Sequence, residues 1–154
     1  MTPEQARAAH LAYDRLGRYL NSDAAADVPS DEELEQLTYG NLLAAETLVV
    51  ILAKLRGQTF DQVLDDLPER DEGYPPGSVV TNLWETAKYQ LRYLHARSWQ
   101  RRPEPSRFHD RSTACRGSFS LVVAAVLEIA AETQTNADQL IGVLKDAAAA
   151  QELR

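Results

Sequence analysis

The chain has 154 residues, 25% of them charged and 44% hydrophobic, and its 23 Asp plus Glu against 16 Lys plus Arg leave a net charge of -7. That is ordinary globular composition at the length of one domain, 1–154. It excludes a disordered tail, a collagen-like repeat, a disulfide scaffold, and folds that need more than about 200 residues, such as a whole barrel enzyme or a full dinucleotide-binding dehydrogenase.

Cys115 is the one cysteine, so no intramolecular disulfide and no Cys-pair metal site can form. The first residues, Met1 to Arg7, lack the apolar core of a signal peptide. The longest apolar stretches, Leu42 to Ala53 and Leu121 to Ala131, contain Glu46 and Glu128 and fall short of the roughly 20 residues of a bilayer span. These features predict a cytoplasmic protein with no membrane contact.

β-Branched residues sit inside Ala- and Leu-rich runs at helical spacing, and no alternating segment is closed by Asn-Gly or Asp-Gly. The expected fold is all-α, a bundle of five or six helices. Thr2, Pro3 and Gln5 open the first helix with a capping box, and Ala6, Ala9, Tyr13, Leu16 and Leu20 repeat on one face up to about Asn21. After a linker, Ser30 and Glu33 form a second capping box, and the longest helix runs to about Arg56, stopped by Gly57. Leu34, Leu37, Ala45, Leu48, Val49 and Leu52 form one of its faces, with Tyr39, Leu43 and Val50 nearly opposite, so it is expected at the centre.

Thr59 caps a short third helix, Phe60 to Leu67, ended by Pro68; the Pro- and Gly-containing segment Glu69 to Gly77 reads as a loop. A fourth helix is expected from about Val79 to Trp99 and a second loop from Gln100 to Arg111. Ser112 or Thr113 then caps a fifth helix to about Thr133, and Asn136 a sixth to about Glu152. Leu48-Val49-Val50 ahead of Asp61-Gln62 is echoed by Leu121-Val122-Val123 ahead of Asp138-Gln139, the second copy four residues longer. Two related helical hairpins, 31–67 and 113–152, would produce this; so would coincidence among Leu-rich helices, since repeat arrays need three or more copies.

Charge is distributed unevenly. Lys88, Arg92, Arg97, Arg101, Arg102, Arg107, Arg111 and Arg116 face only Glu104 and Asp110, so 88–116 carries +6 and the remainder -13. Tyr89, Tyr93, Trp99 and Phe108 are interleaved, and Lys88, Arg92, His95 and Trp99 fall on one helical face. Arginines over phosphates and rings under bases make nucleic-acid grooves, so Arg92, His95, Arg97, Trp99, Arg101, Arg102, Arg107 and Arg111 are the candidate anion-binding residues. The competing explanation is internal: 23–72 carries 13 acidic against 3 basic residues, and the stripe can neutralise that half of the protein or a second copy. The overall acidic balance favours the internal one.

Catalytic constellations are incomplete. Asp65-Asp66-Leu67-Pro68-Glu69 is similar to the aspartate-rich motif of terpene synthases, but the chain is too short and Pro68 breaks the helix the motif needs. Glu32 and Glu35 resemble half of the carboxylate pattern of all-α nucleotide pyrophosphohydrolases; the second half is missing, and the helix dipole explains a Glu-rich first turn. The second helices of the two hairpins open on Asp61 and Asp138, which would meet phosphates with carboxylates and so excludes helix-turn-helix binding to DNA. His10, His95 and His109 stand in no metal motif, His95, His109, Asp110 and Cys115 lack zinc-ligand spacing, and Gly117-Ser118-Phe119-Ser120 is not a nucleophile elbow. No catalytic residue, metal or cofactor is assigned, and Cys115 reads as a buried, inert thiol.

The second feature is polarity inside the longest helix. Thr38 and Asn41 project onto its apolar face and Glu46 sits between Leu42, Val49, Val50 and Ala53, a candidate buried polar pocket. A buried carboxylate requires a partner, expected to be an arginine from the fourth helix or from the loop after it. The leading expectation is a non-enzymatic α-helical interaction or regulatory protein, with a protein partner or a homodimer. The alternative is a module that binds nucleic acid or a phosphate-rich ligand through 88–116, and the third is a small all-α enzyme with an unrecognised pocket.

Overall fold

The computed structural model describes residues 2–20, 31–69, 83–96 and 111–152. They form α1 (Pro3–Leu20), α2 (Asp31–Arg56), α3 (Phe60–Asp66), α4 (Leu83–Ala96), α5 (Arg111–Thr133) and α6 (Ala137–Glu152), with no strand among the described residues. The fold is an all-α helical bundle. Ser30 and the ends of the span expected for the fourth helix lie outside the described residues. α5 starts at Arg111, ahead of the cap candidates Ser112 and Thr113, because any residue of a first turn leaves its N–H unbonded and a cap motif places a helix start only to within a residue or two.

Local chemistry sets the helix ends. At α1 the Thr2 N–H donates to Gln5 Oε1 at 2.9 Å and the Gln5 N–H donates to Thr2 Oγ1 at 3.2 Å. Thr59 and Gln62 repeat that reciprocal box at α3, at 3.0 and 3.2 Å. Gly57 ends α2 with φ 64° and Gln134 ends α5 with φ 52°. In both turns the next N–H closes back on the helix, Gln58 to the Ala53 carbonyl and Thr135 to the Ala130 carbonyl, each at 3.0 Å. Asn136 then caps α6, its Oδ1 accepting from the Asp138 N–H at 2.7 Å.

Those turns set the register of the internal similarity. Gly57 and Gln134, Thr59 and Asn136, Asp61 and Asp138, Gln62 and Gln139, and Leu67 and Leu144 are all separated by one constant interval, as are Gly40 and Gly117, Val49 and Val126, and Ala53 and Ala130. Aligned on these turns, the two segments match without a four-residue insertion. The Leu-Val-Val match is displaced by one helical turn, an offset that a helical pattern tolerates because apolar residues recur every three or four positions.

The core lies between α2 and α5, the two long helices. Leu42, Leu48, Val49 and Leu52 meet Leu121, Val122, Val126 and Ile129, all essentially inaccessible. Burying each of these leucines contributes roughly 2 kcal/mol. α1 packs on α2 and α6, and α4 on α5 and α2. The buried positions Ala6, Ala9, Tyr13 and Leu16 of α1 recur at identical spacing in α4 as Trp84, Ala87, Leu91 and Leu94. α1 is alanine-rich on its inner face because it crosses α2 at Gly40, where a β-carbon would overlap the Ala8 backbone carbonyl. Glu33–Arg56 and Ala114–Thr133 are long and apolar enough to cross a membrane, with mean hydropathy 1.3 and 1.6; 61% of each window is buried inside the bundle.

Candidate functional site

Glu46 stands on the face of α2 turned to α4, its side chain 17% exposed. Its Oε1 lies 3.1 Å from His95 Nδ1, so the partner supplied by the fourth helix is an imidazole and not the expected arginine. The His95 ring stacks on Phe60, with centroids 3.8 Å apart and planes 3° from parallel. A carboxylate on Nδ1 sets the orientation of an imidazole, and the Phe60 face fixes its plane. Tyr13 approaches from α1; burial first pushes its phenol up to about 12, opposed by a hydrogen bond with Thr47 and assisted by the Glu46 charge.

Asn41 faces α5. Fully buried, it donates from Nδ2 to the Cys115 carbonyl at 3.3 Å and to Ser118 Oγ at 3.2 Å. Its Oδ1 accepts no hydrogen bond from a described residue, and a buried acceptor left unsatisfied costs about 1–3 kcal/mol. Thr38 bonds back to the Leu34 carbonyl at 2.8 Å and also reaches the Cys115 thiol, whose pKa burial raises. Thr38 and Asn41 therefore meet around Cys115, whereas Glu46 belongs to the separate cluster with His95.

Of the basic segment, Arg92 bonds Asp65 and lies 3.4 Å from Asp61, both on α3, and Lys88, buried against the bundle, lies 3.5 Å from Glu85. His95 is engaged by Glu46. Arg97, Trp99, Arg101, Arg102 and Arg107 fall outside the described residues, and Arg111 is placed only as the first residue of α5. Among the described residues no group of three or more His, Cys, Asp or Glu side chains could hold a metal ion.

A further feature lay outside the reach of the sequence patterns. Asp14, Gly17 and Arg18 of α1 and Asp138, Ile141, Gly142 and Lys145 of α6 line a cleft of about 500 Å³. Lys145 Nζ donates to Asp14 Oδ1 at 2.9 Å, and Arg18 lies 3.3 Å from the other carboxylate oxygen. The hydrogen bond from Lys145 holds the Asp14 carboxyl below its ordinary range; burial opposes it, and the charges of Lys145, Arg18 and His10 add to it. The available signal was Gly142, a glycine in a helix interior where alanine is preferred by about 1 kcal/mol.

Comparison with protein families, with curated proteins and with solved structures finds no match to this chain.

Proposed function

We propose that the protein is a non-enzymatic, cytoplasmic helical interaction or regulatory protein that acts by contact with another protein, a second copy included. The observation that carries this reading is the Arg92 guanidinium bonded to Asp65 with Asp61 beside it. The part of the basic stripe on α4 is spent on the protein's own acidic α3, which weakens the case for an external polyanion. Large apolar side chains are meanwhile available for contact: Tyr89 is 69% exposed, Val143 66% and Leu55 50%. That α2 and α5 bury their apolar faces on each other supports reading them as core helices of the bundle.

Size exclusion with light scattering and dual-wavelength absorbance, at low and high salt, tests it. A clean protein spectrum with at least a dimer mass at both salts is expected, because apolar packing is insensitive to added salt. A nucleic-acid absorbance excess that disappears at high salt would instead promote the basic segment, since phosphate contacts weaken steeply with salt. A clean monomer would remove the second copy as the partner.

A further inference from the structure

The α1–α6 cleft contains two helical glycines that neither packing nor backbone conformation requires. A β-carbon at Gly142 would meet nothing within 4 Å, and one at Gly17 would make only an ordinary contact with Ile141 at 3.7 Å. Neither glycine has the positive φ that would demand it. Backbone conformation and packing therefore do not account for either residue, yet each weakens its helix. What the two share is the cleft, which both half-buried glycines line together with Ile141, 3% exposed.

The walls have two poles. At one, Arg18 and Lys145 share the single carboxylate of Asp14, leaving one net positive charge. At the other, Asp138 makes no ion pair with a described residue; its backbone N–H is held by Asn136. Asp138, Gly142 and Lys145 follow one another at spacings of four and three along one face of α6, so the poles stand about 10 Å apart along the helix with Gly142 between them. The volume lies within the roughly 300–1,000 Å³ range of small-molecule sites.

We propose that this cleft binds an ω-amino acid, a short aliphatic chain with a carboxylate at one end and an ammonium at the other. The carboxylate bridges Arg18 and Lys145, the methylenes lie over Gly142 and Ile141, and the ammonium meets Asp138. An α-amino acid, with both charges on one carbon, cannot reach both poles. A simple carboxylate or a simple amine satisfies only one. The site is independent of the contact reading above and stands or falls separately.

The test is titration of the purified full chain, by calorimetry and by chemical-shift perturbation, with glycine, γ-aminobutyrate, δ-aminovalerate and ε-aminocaproate, and with butyrate and butylamine as single-pole controls. Saturable binding that rises with chain length above glycine is expected, at least tenfold tighter than either control. Gly142→Leu, placed in open space, is expected to leave the melting temperature at or above that of the parent and to abolish binding. Asp138→Asn is expected to bring the zwitterion down to the affinity of butyrate. No saturation by any zwitterion at concentrations on the order of 10 mM would overturn the proposal, as would binding unchanged in Gly142→Leu. Butyrate binding as tightly as the zwitterions would overturn the ligand class by removing the role of Asp138.

Discussion

Where α4 runs against α3, His95 stacks on Phe60 and Arg92 reaches Asp61 and Asp65. Where α1 runs against α6, the positions that match by burial and by turn register are Gly17 for His95, Ala137 for Phe60, Asp14 for Arg92 and Gly142 for Asp65. One seam is filled by two rings and a guanidinium; the other carries small or short side chains at the matching positions and a cleft with charged walls. The charge order is also reversed, since the basic partner is on α4 in the first seam and on α6 in the second. The two seams also differ in extent, because α6 packs along α1 over 16 residues while the short α3 meets α4 only through the side chains of these few residues.

The largest effect is expected where α1 crosses α2. Gly40→Ala forces a methyl group into the Ala8 carbonyl, and the helices must separate at a cost of roughly 3 kcal/mol, read from denaturant unfolding. A loss below about 1 kcal/mol would mean that α1 is free to shift, and the cleft beside it would no longer be a fixed shape.

Next comes Tyr13, which has Leu91 as its counterpart in α4. The unfolded chain releases the phenolic proton from about pH 10 and the folded chain only near 12. The stabilising contribution is therefore complete below pH 10 and lost as pH rises through 12, a change of up to about 3 kcal/mol for two pH units. Tyr13→Phe is expected to flatten the alkaline fall in stability between pH 10 and 12. An unchanged fall would place the sensitive group elsewhere.

Gly142→Ala works in the opposite direction and sharpens the contrast between the seams. With open space for the new methyl, helix propensity is expected to raise stability by about 1 kcal/mol, visible as a higher melting temperature. A decrease would mean that the cleft is more closely packed than the filled seam.

The smallest effect belongs to Asp14. Its side chain is 38% exposed, so Asp14→Asn is expected to cost less than about 1 kcal/mol at neutral pH. Because its carboxyl is held below the ordinary range, that contribution is present above the usual carboxylate pKa and lost as pH falls through the folded value. The parent and the variant should converge in acid, and a difference that persists there would rule out the ion pair as its source.

Periodicity and end signals made the six helices legible, because Thr2, Thr59, Gly57 and Asn136 act on backbone groups one turn away and need no distant partner. The long central helix was legible for a related reason: its apolar residues cover so much of the wheel that only burial on several sides can satisfy them. The site was less legible. Glu46 was marked as needing a partner, but the pattern favoured arginine, the commonest cation of the segment, and could not distinguish it from His95. Only the crossing of α2 by α4 brings that ring within 3.1 Å. Nor could spacing show that Asn41 and Glu46 face different helices, since both are polar residues interrupting the same apolar run.

Residue types by themselves determined the helices, most of their ends and the acidic balance, all properties of composition or of neighbours along the chain. Tertiary structure decided which charges are spent and which remain. Arg92 is neutralised by α3 and Asp138 meets no ion-pair partner among the described residues, although in sequence they are equally ordinary members of charged helices. An ion pair or a cleft is created by side chains converging from distant parts of the chain, and that convergence is set by how the helices cross, which no local pattern encodes.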